Sequence, residues 1–461
     1  MTEETIYENE YPETDLTDKK VKQTTQETDD SGAKRAILVS AYSKNDEAEA
    51  EISLEELKRL LDTAGGTVEG IVTQVREKPD GRTFIGKGKM IELSDAIHAT
   101  GAELIIFDTE LSPIQIKIIE DELGGEVSVI DRSMLILDIF ASHASSAEGR
   151  LQVELAQLKY TAPRLMGKGK QMSRLGGGVG TRGPGESKLE IDRRRLKTRI
   201  RSLEDDIERL KAVRMTQRSS RERGGIPCCA VVGYTNAGKS TLLNKLTDAD
   251  ILAEDKLFAT LDPTTRQYIL PSGKKILLTD TVGFIRKLPH HLISAFKSTL
   301  DEAVFADVLI IVCDASDENL PSQMEVTRDT LSDLGAVGKP TLIVFNKCDA
   351  IKDEGSLLTL KGLASGADEK AVFISALTGD GLDSFAKTLE ELLSDGKRRI
   401  ELEIPHSQSG VVSTVYRICE DVEVDYANDV IKITATADRK STGQLKKYVV
   451  DYDSVFQMPD E

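Results

Sequence analysis

The sequence predicts an α/β multidomain protein: an N-terminal α/β domain, a helical hairpin, a P-loop domain and a small α+β C-terminal domain. Three observations predict it. Short apolar runs such as Leu104–Phe107, Cys228–Val232 and Thr341–Phe345 alternate with helical segments, the pattern of largely parallel sheets covered by helices. The second of these runs leads directly into Gly233-Tyr234-Thr235-Asn236-Ala237-Gly238-Lys239-Ser240, a GxxxxGK[ST] loop between strand and helix. Between the two α/β regions, Leu189, Leu196, Ile200, Leu203, Ile207 and Leu210 fall at heptad-like spacing, as along one seam of a long helix.

A chain of 461 residues can bury several cores. No apolar run approaches the ~20 residues that span a bilayer. The acidic N-terminus has no basic segment followed by an apolar one, so no secretory signal is read. The five cysteines are odd in number and lack framework spacing, and Cys228-Cys229 sit on an apolar run, as reduced core thiols do. The expectation is a monomeric cytoplasmic protein, at most peripheral at a membrane. The net charge of −18 is unevenly spread. Residues 1–33 are acidic and polar with almost no large aliphatic side chains, which predicts a disordered tail. Residues 145–225 carry twice as many Lys and Arg as Asp and Glu, a local basic surface of the kind that binds nucleic acid.

The N-terminal α/β domain is placed at 34–145. Ala36–Ser40 and Gly70–Val75 read as strands, as does Leu104–Phe107, which ends at Asp108. Ser53 with Glu56 reads as a capping box opening a helix over 54–64. Ile114–Leu123 is helical, and Val127–Ile139 holds at least one more strand. Gly86-Lys87-Gly88-Lys89 reads as a turn or a weak phosphate site.

In the basic hairpin, 146–225, helices are expected over 148–161 and 186–215, with Leu151, Leu155 and Leu158 facing the heptad stripe. From Ala156 to Gly185 there is no acidic residue, while Lys159, Arg164, Lys168, Lys170, Arg174 and Arg182 are interleaved with glycines. A long basic glycine-rich loop at a hairpin tip can follow a phosphate backbone, so these six are the expected RNA contacts; a solvated linker is the plainer alternative. Residues 216–226 read as a hinge.

The domain over 226–397 holds a guanine-nucleotide set. The glycines of 233–240 let backbone N–H groups wrap phosphates, Lys239 neutralises the β- and γ-phosphates, and Ser240 offers its hydroxyl to Mg²⁺. The strand Lys275–Thr279 ends in Asp280-Thr281-Val282-Gly283, a DxxG in which Asp280 backs the Mg²⁺ through water and the Gly283 N–H meets the γ-phosphate. Phe258-Ala259-Thr260-Leu261-Asp262-Pro263-Thr264 is the switch I candidate, with Thr260, Thr264 and Thr265 all eligible to complete the Mg²⁺ shell. Asn346-Lys347-Cys348-Asp349 follows a strand: the Asp349 carboxylate suits guanine N1 and N2, Asn346 braces the loop and the Lys347 stem covers the base. Ser375-Ala376-Leu377 follows another, with the Ala376 N–H placed for guanine O6. Where many GTPases carry a water-orienting Gln after DxxG, this chain has Phe284 and then Ile285, which predicts slow unaided hydrolysis.

From about residue 36 onward the chain resembles the HflX family of translation-associated GTPases. The resemblance rests on domain order, Gly86–Lys89, Asp131-Arg132-Ser133 with Leu135–Phe140, the loop Gly177–Glu186 and the motifs Gly233–Ser240, Phe258–Pro263 and Asp280–Phe284. It implies a GTP hydrolase with Mg²⁺, GTP and GDP at the site. It favours Thr260 as the switch I ligand, giving Lys239, Thr260 and Gly283 as the catalytic set and Ser240 and Thr260 as metal ligands. It also implies binding to the large ribosomal subunit through 23S rRNA and ribosomal proteins, and splitting of stalled or idle ribosomes under stress. A nucleotide-gated RNA-binding assembly factor is the other reading. Asn236 sits where related K⁺-stimulated GTPases place a K⁺ ligand. Residues 398–461 read as strands and helices of a small α+β module.

Overall fold

The computed structural model describes residues 34–172, 184–223, 226–247, 257–258, 260–289, 292, 297–351, 360, 362–363, 369–394, 398–426, 430–437 and 439–451. The expectations for the tail 1–33 and for Ala259, Arg174 and Arg182 fall outside them.

The first sheet is wholly parallel, in the order β2-β1-β3-β4: β1 (Arg35–Tyr42), β2 (Thr67–Val75), β3 (Leu104–Phe107) and β4 (Ser128–Asp131). Helices α1 (Glu47–Thr63), α2 (Lys87–Thr100), α3 (Pro113–Glu122) and α4 (Arg132–His143) connect and follow the strands. Two readings are corrected. Helix α1 starts at Glu47, because the good helix formers 47–51 extend it; Ser53 lies in its interior, buried, and the capping role is absent. Gly86-Lys87-Gly88-Lys89 opens α2, a helix the sequence reading missed: the Gly86 N–H donates to Gln74 at 2.8 Å and Lys89 pairs with Glu92 at 2.7 Å. The segment is thus engaged in its own fold. The apolar run after Asp131 is a helix, since Asp131 caps it by accepting from the Met134 N–H at 3.0 Å.

Helices α5 (Ala147–Met172) and α6 (Pro184–Arg223) form the hairpin. Leu155, Leu203 and Ile207 are buried in its seam, flanked by Leu151, Leu158 and Ile200. Arg199–Glu154, Lys159–Glu204 and Arg214–Glu148, each at 2.7 Å, lock the two helices from outside. The expected loop is shorter than predicted: Arg164, Lys168 and Lys170 lie on α5, which continues through Pro163 because Leu165, Met166, Lys168, Lys170 and Gln171 are strong helix formers. Lys159, half exposed, pairs with Glu204 across the two helices. The predicted hinge from 216 is helical as far as Arg223.

The second sheet has the order β10-β9-β8-β5-β7-β6. Strands β5 (Cys228–Gly233), β7 (Lys275–Asp280), β8 (Val308–Asp314), β9 (Thr341–Asn346) and β10 (Glu369–Phe373) are parallel, and β6 (Thr264–Ile269) is antiparallel to β7. Helices α7 (Lys239–Thr247), α8 (Lys297–Phe305), α9 (Leu320–Asp333) and α10 (Leu382–Ser394) accompany it. The C-terminal sheet, β12-β13-β11-β14, is antiparallel: β11 (Arg398–Pro405), β12 (Glu420–Tyr426), β13 (Val430–Ala437) and β14 (Val449–Asp451), with helices α11 (Gly410–Ile418) and α12 (Arg439–Leu445). Helix α12 ends at Leu445 and β14 follows it, pairing with β11.

Each of the first two sheets has a core of its own on one face, and the two share a third on the other. One apolar cluster joins Leu54, Leu57, Leu137 and Phe140 of α1 and α4 to Tyr234, Phe258, Leu261, Phe284 and Ile285 of the second sheet's loops.

Candidate nucleotide site

The loops that leave β5, β7, β9 and β10 at their C-terminal ends gather at one edge of the sheet, where open α/β sheets bind ligands. After β5, the chain turns through Gly238, whose φ is +92° and whose missing Cβ would lie 2.2 Å from the Asn346 amide. A side chain there would collide with the amide that braces the loop, so the turn requires glycine. Lys239 starts α7 with its ammonium buried, donating to the carbonyls of Gly233 at 3.2 Å and Tyr234 at 2.8 Å. Burial pulls its pKa down to about 8 against the opposing charge of Asp280.

Ser240 Oγ lies 2.7 Å from both Thr260 Oγ1 and Asp280 Oδ2. Of the three switch I candidates, Thr260 is the one brought there. Thr264 and Thr265 are part of β6, and the Thr265 hydroxyl meets Thr279 at 2.9 Å. Asp280 is fully buried, and burial raises its pKa against Lys239 and Ser240. Its Oδ1 has no hydrogen-bond partner among the described residues. Two hydroxyls and a buried carboxylate with an unsatisfied oxygen are a hard-oxygen donor set that fits Mg²⁺.

The P-loop and the DxxG segment are zipped together: the Phe284 N–H donates to the Gly233 carbonyl at 3.0 Å, and the Thr235 N–H to the Phe284 carbonyl at 2.8 Å. A Cβ on Gly283 would come within 2.9 Å of the Lys239 ammonium, so the glycine lets the DxxG backbone reach the lysine. Thr281 donates to the Val231 carbonyl at 2.8 Å, and Val282 is buried. Phe284 is 1% exposed, in the core shared with α1 and α4. Its hydrophobic character is that of a plug between two sheets. Phe258 adopts φ +57°, a conformation uncommon for a bulky residue, and packs edge-to-face with Phe140, ring centroids 4.7 Å apart.

On the other flank, Asn346 donates to the Ala237 carbonyl at 2.9 Å and accepts from the Ala376 N–H at 2.9 Å. It therefore braces P-loop and 375–377 loop at once. The Ala376 N–H, expected to face a base, is engaged by Asn346 here. Lys347 (φ +63°) pairs with Asp314 at 2.6 Å, Cys348 is half-buried, Asp349 is exposed, Ser375 is buried and Leu377 is exposed.

Sequence reasoning missed a buried polar network behind the site. Tyr234 donates to Glu56 on α1 and accepts from the Arg286 N–H at 2.9 Å. Glu56 pairs with the buried Arg132, which reaches Asp108 at 2.8 Å, and Asp108 pairs with Lys287 at 2.8 Å. Arg132 also donates to the Ser53 carbonyl at 3.3 Å. The signals available were the motif Asp131-Arg132-Ser133 and the aspartate closing β3, neither of which names a partner.

A phosphate loop, a DxxG and an NKxD on successive strands of one parallel sheet, with lysine, serine and aspartate converging as described, define a P-loop GTPase. Residues 51–141 match the family described as GTP-binding GTPase N-terminal, 143–221 the GTP-binding GTPase Middle Region, and 228–347 the 50S ribosome-binding GTPase family. The chain belongs to the HflX family of GTPases. It is 49% identical over 401 residues to GTPase HflX of Lacrimispora saccharolytica, covering 87% of this chain and 93% of that one. It is 44% identical over 416 residues to GTPase HflX of Caldanaerobacter subterraneus subsp. tengcongensis, covering 90% and 94%. Among solved structures, a GTP-binding protein from Sulfolobus solfataricus in complex with GDP is 28% identical, covers 78% of this chain and 99% of its own, and has a TM-score of 0.41. Among the described residues no helix is long and apolar enough to cross a membrane.

Proposed function

We propose that this GTPase hydrolyses GTP under the control of the large ribosomal subunit, and that the cycle separates stalled or idle ribosomes. The observation that carries the reading is Phe284: the position after DxxG is sealed in a core and supplies no group to orient the attacking water. Hydrolysis must then be completed by a bound partner. The match of 228–347 to a 50S ribosome-binding family supports the ribosome as that partner. The acid-free stretch 156–185 supports contact with its RNA through Arg164, Lys168, Lys170, Arg174 and Arg182.

Within the site, Lys239 takes the β- and γ-phosphates and the Gly283 N–H meets the γ-phosphate. The amides of 233–240 wrap the phosphate chain. Ser240 and Thr260 would hold Mg²⁺ with Asp280 behind a water, and the ion when bound neutralises charge on the phosphates. Asp349 accepts from guanine N1 and N2, while Lys347 and the 375–377 loop wall the base. Adenine lacks that donor pair and would leave the carboxylate unsatisfied. We further propose Asn236 as a K⁺ ligand; a rate unchanged on exchanging K⁺ for Na⁺ removes it from the site.

The test is GTP hydrolysis by the purified protein alone and with large subunits, small subunits and whole ribosomes. Strong stimulation by large subunits is expected. Equal rates with every particle would leave the nucleotide gating an RNA-binding surface as the better account.

A further inference from the structure

Asp262 ties switch I to the start of the hairpin. The Asp262 carboxylate accepts from the Ser145 N–H at 3.0 Å, the Ser145 hydroxyl at 2.7 Å, the Ser146 N–H at 2.6 Å and the Ser146 hydroxyl. Ser146 is at the same time the N-cap of α5: its Oγ accepts from the Gly149 N–H at 2.8 Å, and its carbonyl from the Arg150 N–H at 3.1 Å. The aspartate thus docks on the positive end of a helix 26 residues long. Two residues earlier, Thr260 stands against Ser240. The fit is close enough to constrain sequence at the receiving side. A Cβ on Gly149 would lie 2.3 Å from Asp262 Oδ1.

We propose that Asp262 is a positioning residue for Thr260, and that Ser145, Ser146 and Gly149 at the start of α5 form its receptor, so that the hairpin and the nucleotide site share one hinge point. The proposal rests on the reading of Thr260 as the switch I ligand. A segment of two residues spans only ~7 Å even when extended. Thr260 therefore has little freedom to leave Ser240 while Asp262 is seated. The reverse also holds: a movement of α5 carries switch I with it, and coupling between two sites acts equally in both directions.

Gly149 separates this from ordinary stabilisation. Replacing a helical glycine by alanine ordinarily strengthens a helix by a few tenths to about 1 kcal/mol. A methyl at Gly149 would instead meet the Asp262 carboxylate, so rate and exchange in switch I, read beside overall stability, distinguish positioning from ordinary stabilisation.

The experiment compares wild type, Gly149→Ala, Asp262→Asn and, as reference, Thr260→Ala. It reads single-turnover GTP hydrolysis, affinity for GDP and for a non-hydrolysable GTP analogue, and amide exchange across 257–265. Gly149→Ala and Asp262→Asn are expected to slow hydrolysis ~10- to 100-fold. They should also weaken the analogue more than GDP and speed exchange in switch I more than elsewhere in the chain, which a general loss of stability would not do. If Thr260→Ala is slow while both clamp variants keep wild-type rates and exchange, the clamp is overturned and the Thr260 reading stands. If Thr260→Ala is itself unimpaired, both fall.

Discussion

The Tyr234 phenol, in the phosphate loop, donates to the Glu56 carboxylate on helix α1, 178 positions away in sequence. The same oxygen accepts from the Arg286 N–H of the switch II segment. Burial, with Glu56 beside it, pushes the phenol well above its usual pKa, so it remains a donor throughout the working pH range. Three parts of the molecule therefore meet at one hydroxyl. Tyr234→Phe leaves the ring packed but strands the buried Arg286 N–H. It is expected to lower unfolding free energy by roughly 1–3 kcal/mol, measured by urea denaturation, with GDP affinity retained because Lys239 and the loop glycines are untouched.

Arg132 is 1% exposed and holds Glu56 and Asp108 together. Arg132→Met fills the volume but leaves Glu56 without its cation. Breaking a buried pair on one side costs about 3–5 kcal/mol. The double variant with Glu56→Gln is expected to recover part of that loss; a strictly additive double-mutant cycle would show that the pair is not coupled.

Phe284 divides two explanations of the slow unaided hydrolysis proposed above. If the missing glutamine were all that limited turnover, Phe284→Gln would speed the reaction. The burial of Phe284 predicts the opposite outcome. An amide enters the core shared by α1, α4 and the second sheet, lowering stability by roughly 3–5 kcal/mol, and unaided turnover does not rise. Equilibrium denaturation and a single-turnover assay read the two halves separately.

Asp262 gives a pH signature. Burial works to raise its pKa, but the hydrogen bonds from Ser146 and Ser145 outweigh burial and hold it below the ordinary 3.8. The folded state therefore binds this proton less readily than the unfolded state. The contribution to stability is fully present above pH 3.8 and is lost as pH falls through the lower folded value. The difference in denaturation midpoint between wild type and Asp262→Asn should be constant above that point and shrink below it. A difference that stays constant to the lowest accessible pH would place the carboxylate outside the hydrogen-bonded clamp.

The nucleotide motifs were legible because each is contiguous: Gly233–Ser240, Asp280–Gly283 and Asn346–Asp349 lie within single loops, and the strands before them are continuous apolar runs. Heptad spacing made the hairpin seam readable for the same reason, as periodicity is a local property. Ser53 misled because a capping box is a four-residue pattern that interior helix residues can also satisfy; the partner that claims Ser53 is Arg132, 79 positions on. Glycines interleaved with basic residues suggested a loop where α5 continues as far as Met172.

The sequence by itself determined which groups the loops of the site carry: a glycine-rich turn with its lysine and serine, the Asp280 carboxylate and the Asp349 carboxylate. The tertiary structure decided how that site is attached to the rest of the chain. Thr260 was separated from Thr264 and Thr265 by strand pairing, Phe284 was explained by a core two sheets share, and Asp262 gained its role from serines 116 and 117 positions away. Contacts at such separations leave no periodicity or spacing behind, because they are fixed by where the elements pack and not by the order of neighbouring residues.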